Sequence, residues 1–422
     1  MTLRNRELAA LLTVGALTAI GFATVYIALE SQISGGSLGY AVFFFGLYLV
    51  AHIVARLTVP LADPYLLPMA ALLTAIGLTE IYRLGPSDAF RQGLWIVIGV
   101  GVFAATLFWL HRDYRVLERY KYVFGVTAIL LIFLPRLPVI GESVNGARLW
   151  IHVGSLQIQP GELGKIALIV FLAAYLREKR EVLAQGRLKD WGPLVVIWGA
   201  AMLLLFVTND LGSALLYYGI FLAMLYVATA RLSFVAGALG LFLVGALLVS
   251  RVTPHVRDRV DVWLDPYKHE HTTGFQILQS LYSIAHGGFG GTGLGHGIVR
   301  TPTGQQVVPD LNTDFIYSAL AQELGLVGAA AILLLYMAFV LRGFQIALTA
   351  TDGFSKLLAA GLSFGFAFQA FVIVGGITRV IPLTGITLPF VSYGGSSVLA
   401  NFLLVAGLLL ISNRANRELA TA

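Results

Sequence analysis

Long apolar runs, separated by short polar segments, occupy most of this 422-residue chain. A helix that crosses the hydrocarbon core of a bilayer needs about 20 mostly apolar residues. The runs are continuous and do not alternate with polar positions, so they exclude a membrane β-barrel. The pattern predicts an all-α polytopic membrane protein with about twelve transmembrane helices. We place these spans at 7–29, 38–59, 66–84, 92–110, 119–135, 161–177, 191–208, 211–229, 232–250, 314–341, 355–378 and 388–412.

Composition supports the same class. Apolar residues make up 58% of the chain and charged residues only 12%, about half the charged share of a soluble domain. These values exclude a soluble globular enzyme, a disordered chain and a fibrous protein. The chain has no cysteine, which excludes disulfides, thiolate nucleophiles and cysteine-based metal sites.

The net charge is +6. In a membrane protein this positive charge indicates the orientation of the chain and not nucleic-acid binding, because Lys and Arg accumulate in cytoplasmic loops. Counted by alternate sides of the twelve spans, 17 Lys and Arg lie on one side and 10 on the other, with Lys165 inside a span. This bias predicts cytoplasmic N- and C-termini. The opening MTLRNRELAALL lacks a small-residue cleavage site, so we expect an anchored first helix.

Two long segments, 136–160 and 251–313, then face outward. The second contains GFQILQSLYSIAHGG (274–288), whose apolar residues have helical spacing, and we expect short helices packed at the membrane surface. It also contains the glycine run GGFGGTGLGHG (287–297). That run follows a helical pattern and not a strand, so it does not indicate a dinucleotide site.

Few charged residues lie near the spans, and such residues are functional candidates because burying a charge is costly. Glu162 and Lys165 share one helix face, either as a functional pair or as a pair that only neutralises itself. Asp210 and Asp314 each lie at a helix start, where an acid caps the helix or serves chemistry. Glu323 lies about nine steps of 100° from Asp314, on the opposite face of a straight helix.

Three arginines, Arg91, Arg148 and Arg379, lie at outer ends of spans. Each either reaches to lipid headgroups or contributes to a diphosphate site, because a guanidinium matches phosphate oxygens. The segment 379–397 has two prolines and three glycines. Irregular backbone at membrane depth requires burial in protein or a cavity, so we predict a re-entrant or cavity-lining segment.

Taken together, these motifs resemble the SEDS family of membrane glycosyltransferases, typified by RodA and FtsW. The matching motifs are NGARLWI (145–151), IQPGELGKIAL (158–168), NDLGSAL (209–215), RDRVDVWLDP (257–266), GFQILQS (274–280), GGFGGTGLGHG (287–297), NTDFIYSALAQELGLVG (312–328) and PLTGITLPFVSYGGSS (382–397). The resemblance implies a ten-helix core over 63–422, two additional helices over 1–62, and a large extracytoplasmic loop at 251–313. The extra helices and ADPYLLPMAALL (62–73) resemble the RodA type of actinobacteria more than FtsW.

Three motifs depart from the family pattern. The family commonly has Pro-Glu-x-His-Thr-Asp, whereas this chain reads Pro-Asp-Leu-Asn-Thr-Asp over 309–314. The family's QPSE motif reads QPGE in this chain at 159–162, and the family's EELG motif reads QELG at 322–325. Asp314 matches the proposed catalytic aspartate of the family and is intact.

The resemblance implies polymerisation of lipid II at the outer face of the cytoplasmic membrane, with release of undecaprenyl diphosphate. Asp314 would be the general base. The residues that would line the cavity or bind substrate are Glu162, Lys165, Asp210, Arg91, Arg148, Arg379, Gln279 and Ser392. The sequence leaves open whether a divalent cation, Mg²⁺ or Mn²⁺, assists.

The implied partner is a class B penicillin-binding protein, and the implied role is cell elongation. A lipid II flippase, a scaffold and the division-type polymerase are the alternatives. Intramembrane charges and broken helices also suit transporters, although no inverted repeat is visible in the span pattern.

Overall fold

The computed structural model describes residues 2–30, 35–137, 140–144, 147–153, 156–184, 191–252, 254–298 and 307–421. Within these ranges the chain forms fifteen α-helices: α1 (Leu3–Glu30), α2 (Gly35–Thr58), α3 (Leu66–Leu84), α4 (Pro86–Leu110), α5 (Val116–Arg119), α6 (Lys121–Phe133), α7 (Pro160–Ala184), α8 (Gly192–Val207), α9 (Leu211–Thr229), α10 (Leu232–Val252), α11 (Pro254–Leu264), α12 (Phe275–Gly287), α13 (Ile316–Thr349), α14 (Gly353–Ile377) and α15 (Gly395–Thr421). Some positions used in the sequence analysis lie outside the described ranges, namely Asn145 and Gly146 of the motif NGARLWI, the loop positions 299–306, and Arg187 and Lys189 among the counted charges.

The prediction of an all-α polytopic membrane protein is confirmed. In the described part of the chain, eight helices are long and apolar enough to cross a membrane: Leu3–Leu29, Gly39–Thr58, Leu66–Leu84, Pro86–Leu110, Leu211–Thr229, Ile316–Thr349, Gly353–Ile377 and Gly395–Thr421. Two further apolar helices, Gly192–Val207 and Leu232–Leu247, are shorter. Large apolar side chains of α10, such as Leu232 and Leu241, are exposed on the outside of the bundle, as expected of helices that face lipid.

The centre of the bundle consists of α3, α14 and α15, whose residues are mostly buried. Helices α1 and α2 pack against α3 and α4. The connector after α2 is bonded to α15, near the C-terminus. The Asp63 amide donates to Ser412 and the Leu61 amide donates to Asn413, each over 2.9 Å.

A small antiparallel sheet in the segment 136–160 was not predicted. Strands β1 (Gly141–Val144), β2 (Ala147–Val153) and β3 (Leu156–Ile158) pair in the order β1-β2-β3. Ile151 on the central strand lies opposite Gly141 on one side and Ile158 on the other. Strands of three to seven residues carry too little alternation to stand out beside long apolar helices.

Short helices in the segment 251–313 were predicted and are present. Helix α11 and a 3₁₀ turn at Pro266–His269 precede α12. Helix α12 buries Ile277, Leu278 and Ser280 while leaving Tyr282 exposed, which is the amphipathic arrangement that its sequence pattern indicated.

Two predicted boundaries were wrong. The last span was placed from residue 388, but α15 begins at Gly395, because the preceding residues form an irregular segment that bonds to neighbouring helices. The span predicted from 314 begins at Ile316, so Asp314 lies just before the helix. Helix α13 is also broken at Gly325, which has φ +65°, so the assumption of one straight helix was wrong.

Candidate functional site

The segment 378–394, which connects α14 to α15, is the structural centre of the site. It follows an irregular path, and several neighbouring elements donate hydrogen bonds to its backbone. Arg259 of α11 donates to Leu383 O and Thr384 O over 3.2 and 3.1 Å, and Gln369 of α14 donates to Thr387 O over 2.9 Å. Backbone at this depth needs such partners, and here the partners are polar side chains from distant parts of the chain. The segment is therefore irregular, as the sequence indicated, while its re-entrant or cavity-lining character stays a prediction.

The same segment holds the residues that precede Asp314. Ser392 Oγ donates to Thr313 O over 2.5 Å, and the Tyr393 amide donates to Asn312 O over 2.9 Å. Asn312 in turn donates to the Asp88 carboxylate over 3.0 Å. Because both flanking peptides are fixed, the position of the Asp314 side chain is set by tertiary contacts as well as by the start of α13.

Asp314 and Arg259 lie against the same glycine. A Cβ on Gly385 would be 3.4 Å from Asp314 Oδ2 and 3.9 Å from Arg259 Nη2. Gly385 also has φ +70°, a conformation that other residues adopt only at a cost. A larger residue there would therefore meet both the acid and the guanidinium.

The environment of Asp314 changes its acidity. Burial, reinforced by the charge of Asp310 and opposed by the guanidinium of Arg259, raises the pKa of Asp314 to about 7. A carboxyl group with a pKa near 7 is half ionised at neutral pH, and this matches what a general base needs.

Asp210 caps α9, as one of the two sequence interpretations predicted. Its carboxylate accepts from the Ser213 amide over 2.9 Å. Burial also raises the pKa of Asp210, and Glu162 adds to that effect. Burial lowers the pKa of Arg259, whereas Asp210 and Asp314 both raise it. Arg259 is therefore the shared countercharge of the two aspartates.

Glu162 and Lys165 form a buried pair, with Lys165 Nζ 2.7 Å from Glu162 Oε2. Lys165 also donates to Gln369 Oε1 over 2.6 Å. Because Gln369 donates to Thr387 O, the pair is connected through one amide to the segment 378–394. The pair thus neutralises itself, as one of the two sequence interpretations predicted, and a functional role for it stays a prediction.

Arg91, Arg148 and Arg379, which the sequence analysis placed at outer ends of predicted spans, have different surroundings. Arg91 is 64% exposed and lies 3.9 Å from Asp88, and Arg148 is exposed on β2. Arg379 donates through Nε to Trp263 O over 2.8 Å and through Nη2 to Leu264 O over 2.6 Å, so much of its guanidinium is engaged by α11. Among the described residues, none of the three is hydrogen-bonded to Asp314, Asp210 or Glu162.

Ser392 and Gln279 complete the predicted set. Ser392 is buried, and besides donating to Thr313 O it accepts from the Leu388 amide over 2.9 Å. It therefore joins the segment 378–394 to the residue before Asp314. Gln279 is half-buried on α12, next to Ser280, whose hydroxyl bonds to Ser318 of α13.

Sequence reasoning missed Arg259 and Gln369. Arg259 lies in the quoted motif RDRVDVWLDP but was counted only as one of the outer charges. Gln369 is an amide inside the apolar run of α14 and is fully buried. A lone buried amide in a spanning helix was a signal available from the sequence, since such a group requires a partner.

The glycine run has a structural role that the sequence did not indicate. The Gly295 and Gly297 amides donate to the Glu323 carboxylate over 2.9 and 3.2 Å. Arg83 of α3 pairs with Glu323, and also with Glu80 over 3.0 Å. This buried cluster, together with the break at Gly325, binds the glycine-rich segment 287–297 to α3 and α13. In the ranges that the structure describes, no group of three or more His, Asp or Glu side chains could hold a metal ion.

These features define a multi-pass membrane protein in which buried acids, a lysine and an arginine meet an irregular segment near one end of the helix bundle. The chain belongs to the FtsW, RodA and SpoVE family of cell cycle proteins, whose model matches residues 55–417. The resemblance inferred from the motifs is thereby confirmed.

Individual relatives agree with the family assignment. The chain is 41% identical to "Peptidoglycan glycosyltransferase RodA" of Mycobacterium tuberculosis, with 100% of this chain and 92% of that protein covered. A solved chain from a peptidoglycan synthase complex that coordinates polymerization and crosslinking matches with a TM-score of 0.69 at 29% identity, covering 84% of this chain and 98% of that one. RodA of Thermus thermophilus matches with a TM-score of 0.61 at 26% identity, covering 84% and 97%.

Proposed function

We propose that this chain, which is a peptidoglycan glycosyltransferase of the FtsW, RodA and SpoVE family, polymerises lipid II and acts in cell elongation. The single observation that carries the proposal is the placement of Asp314, with a pKa of about 7, beside Arg259 at Gly385. Membership of the family and the 41% identity to a peptidoglycan glycosyltransferase support the same reaction.

The reaction is a displacement at the anomeric carbon of the donor. The 4-hydroxyl of an acceptor lipid II attacks C1 of the growing glycan, the C1–O bond to the diphosphate breaks, and undecaprenyl diphosphate leaves with the bonding electrons. Asp314 takes the hydroxyl proton. A sugar hydroxyl is a poor nucleophile, and a positioned general base contributes about 10²–10⁴ in rate.

The leaving diphosphate requires positive charge, which preorganised cations provide. Arg259 has guanidinium nitrogens beyond the Nη1 that binds Leu383 and Thr384, and exposed Arg91 and Arg148 are available to bind phosphate oxygens. Lys165 acts indirectly, because its bonds to Glu162 and Gln369 hold the segment 378–394.

The proposed topology has twelve spans, with two additional helices over 1–62, a core over 63–422 and an extracytoplasmic loop at 251–313. Both termini are cytoplasmic, and Asp314 lies at the outer face of the bacterial cytoplasmic membrane. The polyprenyl chains stay in lipid, so the site opens sideways between helices. A class B penicillin-binding protein is the proposed partner, consistent with the synthase complex that one solved relative belongs to.

Polymer formation by the purified full-length protein tests the proposal. We expect Asp314→Asn to abolish glycan polymer formed from lipid II in detergent, while Asp261→Asn, which removes an exposed carboxylate from α11, retains activity. Full activity of a normally folded Asp314→Asn protein would contradict the assignment of the base. Because flipping a lipid needs two compartments, polymer formed in detergent also separates a polymerase from a flippase.

A further inference from the structure

A cavity lies at the other end of the bundle from Asp314. Its volume is about 410 Å³, within the range of about 300–1,000 Å³ typical of small-molecule sites. Its lining includes Thr58, Leu61, His111, Arg112, Asn413 and Arg417.

Helix α4 establishes the separation of the two sites. It begins beside Asp88, which bonds to Asn312 close to Asp314, and it ends immediately before His111. With 25 residues at 1.5 Å each, α4 spans about 37 Å. The cavity is therefore distinct from the catalytic region.

The guanidiniums in this cavity differ from their neighbours. Arg115 and Arg414 pair with Asp113 over 3.3 and 3.5 Å, and Arg414 also pairs with Glu418. Arg112 and Arg417, in contrast, form no ion pair within the described part of the chain. Two uncompensated guanidiniums lining one hollow favour an anionic ligand, because their planar donors match phosphate oxygens.

Two further residues of the lining, Asn413 and His111, have polar side-chain atoms that their own hydrogen bonds leave unused. Asn413 Oδ1 accepts from the Leu61 amide over 2.9 Å, which leaves the Nδ2 donors unused by that bond. His111 Nδ1 donates to Phe108 O over 2.7 Å, which leaves Nε2 of the neutral ring as an acceptor. The donors of the lining are therefore the guanidiniums of Arg112 and Arg417 and the Nδ2 group of Asn413.

The residues beside the cavity locate it at the membrane boundary. Leu57, next to Thr58, is 78% exposed, and Phe108 and Trp109, just before His111, are 66% and 77% exposed. Exposed aromatics at a helix end are typical of the lipid–water interface. A ligand here would place an anionic head among the arginines and an apolar tail along Leu57 and Trp109.

We propose that this cavity binds the phosphodiester headgroup of an anionic phospholipid from the leaflet at that end of the bundle. Basic pockets between spanning helices recognise such headgroups. The lipid would join the ends of α2, α4 and α15, and so would hold the N-terminal helices to the core. The inference does not depend on the proposed polymerase function.

Lipid titration of the purified full-length protein, read by native mass spectrometry, tests this inference. We expect phosphatidylglycerol to bind more tightly than phosphatidylcholine. In Arg112→Gln/Arg417→Gln we expect affinity for phosphatidylglycerol to fall about tenfold or more. Each basic residue near an anionic lipid surface strengthens binding several-fold, and this variant removes two of them. The control Arg6→Gln/Arg119→Gln removes two exposed charges at the same end, outside the cavity, and should stay within about twofold of the parent.

A second variant guards against misfolding. Asn413→Asp keeps the oxygen that accepts from Leu61 but adds negative charge to the cavity, so it should also weaken phosphatidylglycerol binding. Equal binding of phosphatidylglycerol by the parent and both cavity variants would overturn the proposal. If glycerol 1-phosphate binds the cavity as tightly as phosphatidylglycerol, a soluble phosphate and not a lipid is the ligand. Polymer formation in detergent should be unchanged in all these variants.

Discussion

Arg259 and Asp314 come from segments 55 positions apart and lie against the same residue, Gly385. The arginine binds two carbonyls of the segment 378–394 and faces the carboxyl group that we propose as the base. One side chain therefore both holds the irregular backbone in place and influences the acidity of the reacting group.

The first prediction concerns pH. With a pKa of about 7 for Asp314, the carboxylate form that accepts the proton decreases as pH falls. The initial rate of polymer formation should therefore drop about tenfold per pH unit below pH 7 and level off above about pH 8. The measurement is the rate at saturating lipid II across this range, and a profile that is flat through pH 7 would exclude Asp314 as the titrating base.

The second prediction concerns Arg259. Arg259→Gln removes the charge that opposes the raised pKa of Asp314, so the acid limb of the pH profile should move to higher pH. Activity at neutral pH should fall about tenfold or more, since hydrogen bonds to charged groups contribute about 1.5–3 kcal/mol. Arg257→Gln is the matched control, because Arg257 is on the same helix and 74% exposed. A loss of activity with an unmoved profile would indicate a purely structural role.

The third prediction concerns the buried pair. Lys165→Met leaves Glu162 without its partner and should lower the free energy of unfolding by roughly 3–5 kcal/mol. The double variant Glu162→Gln/Lys165→Met should recover most of that stability but not activity, because Gln369 still lacks the donor from Lys165. Thermal unfolding in detergent measures the effect. Lys268→Met, in an exposed pair with Asp265, should change stability by less than about 0.5 kcal/mol.

The fourth prediction concerns the glycine-rich segment 287–297. Glu323→Gln replaces a carboxylate that accepts from the Gly295 and Gly297 amides and pairs with Arg83. Hydrogen exchange in this segment should become about tenfold faster or more, because charge-assisted bonds of about 1.5–3 kcal/mol are lost. Glu270→Gln, an exposed residue, is the control. Unchanged exchange in the Glu323 variant would mean that the segment is held by other contacts.

Much of the site could be predicted as single residues. Asp314, Glu162, Lys165 and Asp210 stood out because acids and lysines are rare in an apolar sequence. Arg379 was selected as an arginine at the predicted outer end of a span, yet its guanidinium is bonded to carbonyls of α11. A sequence reveals where a charge is costly, but it does not reveal which neighbour compensates that charge.

What the sequence by itself determined is membrane embedding, the helical class and the irregularity near residues 379–397, because hydrocarbon tolerates only apolar side chains and internally bonded backbone. Tertiary structure alone decided two sets of contacts. One brings Arg259 and Asp314 against Gly385, and the other links Lys165 through Gln369 to Thr387. These groups are far apart along the chain, and only the packing of α7, α11 and α14 around the segment 378–394 brings their short-range hydrogen bonds within reach.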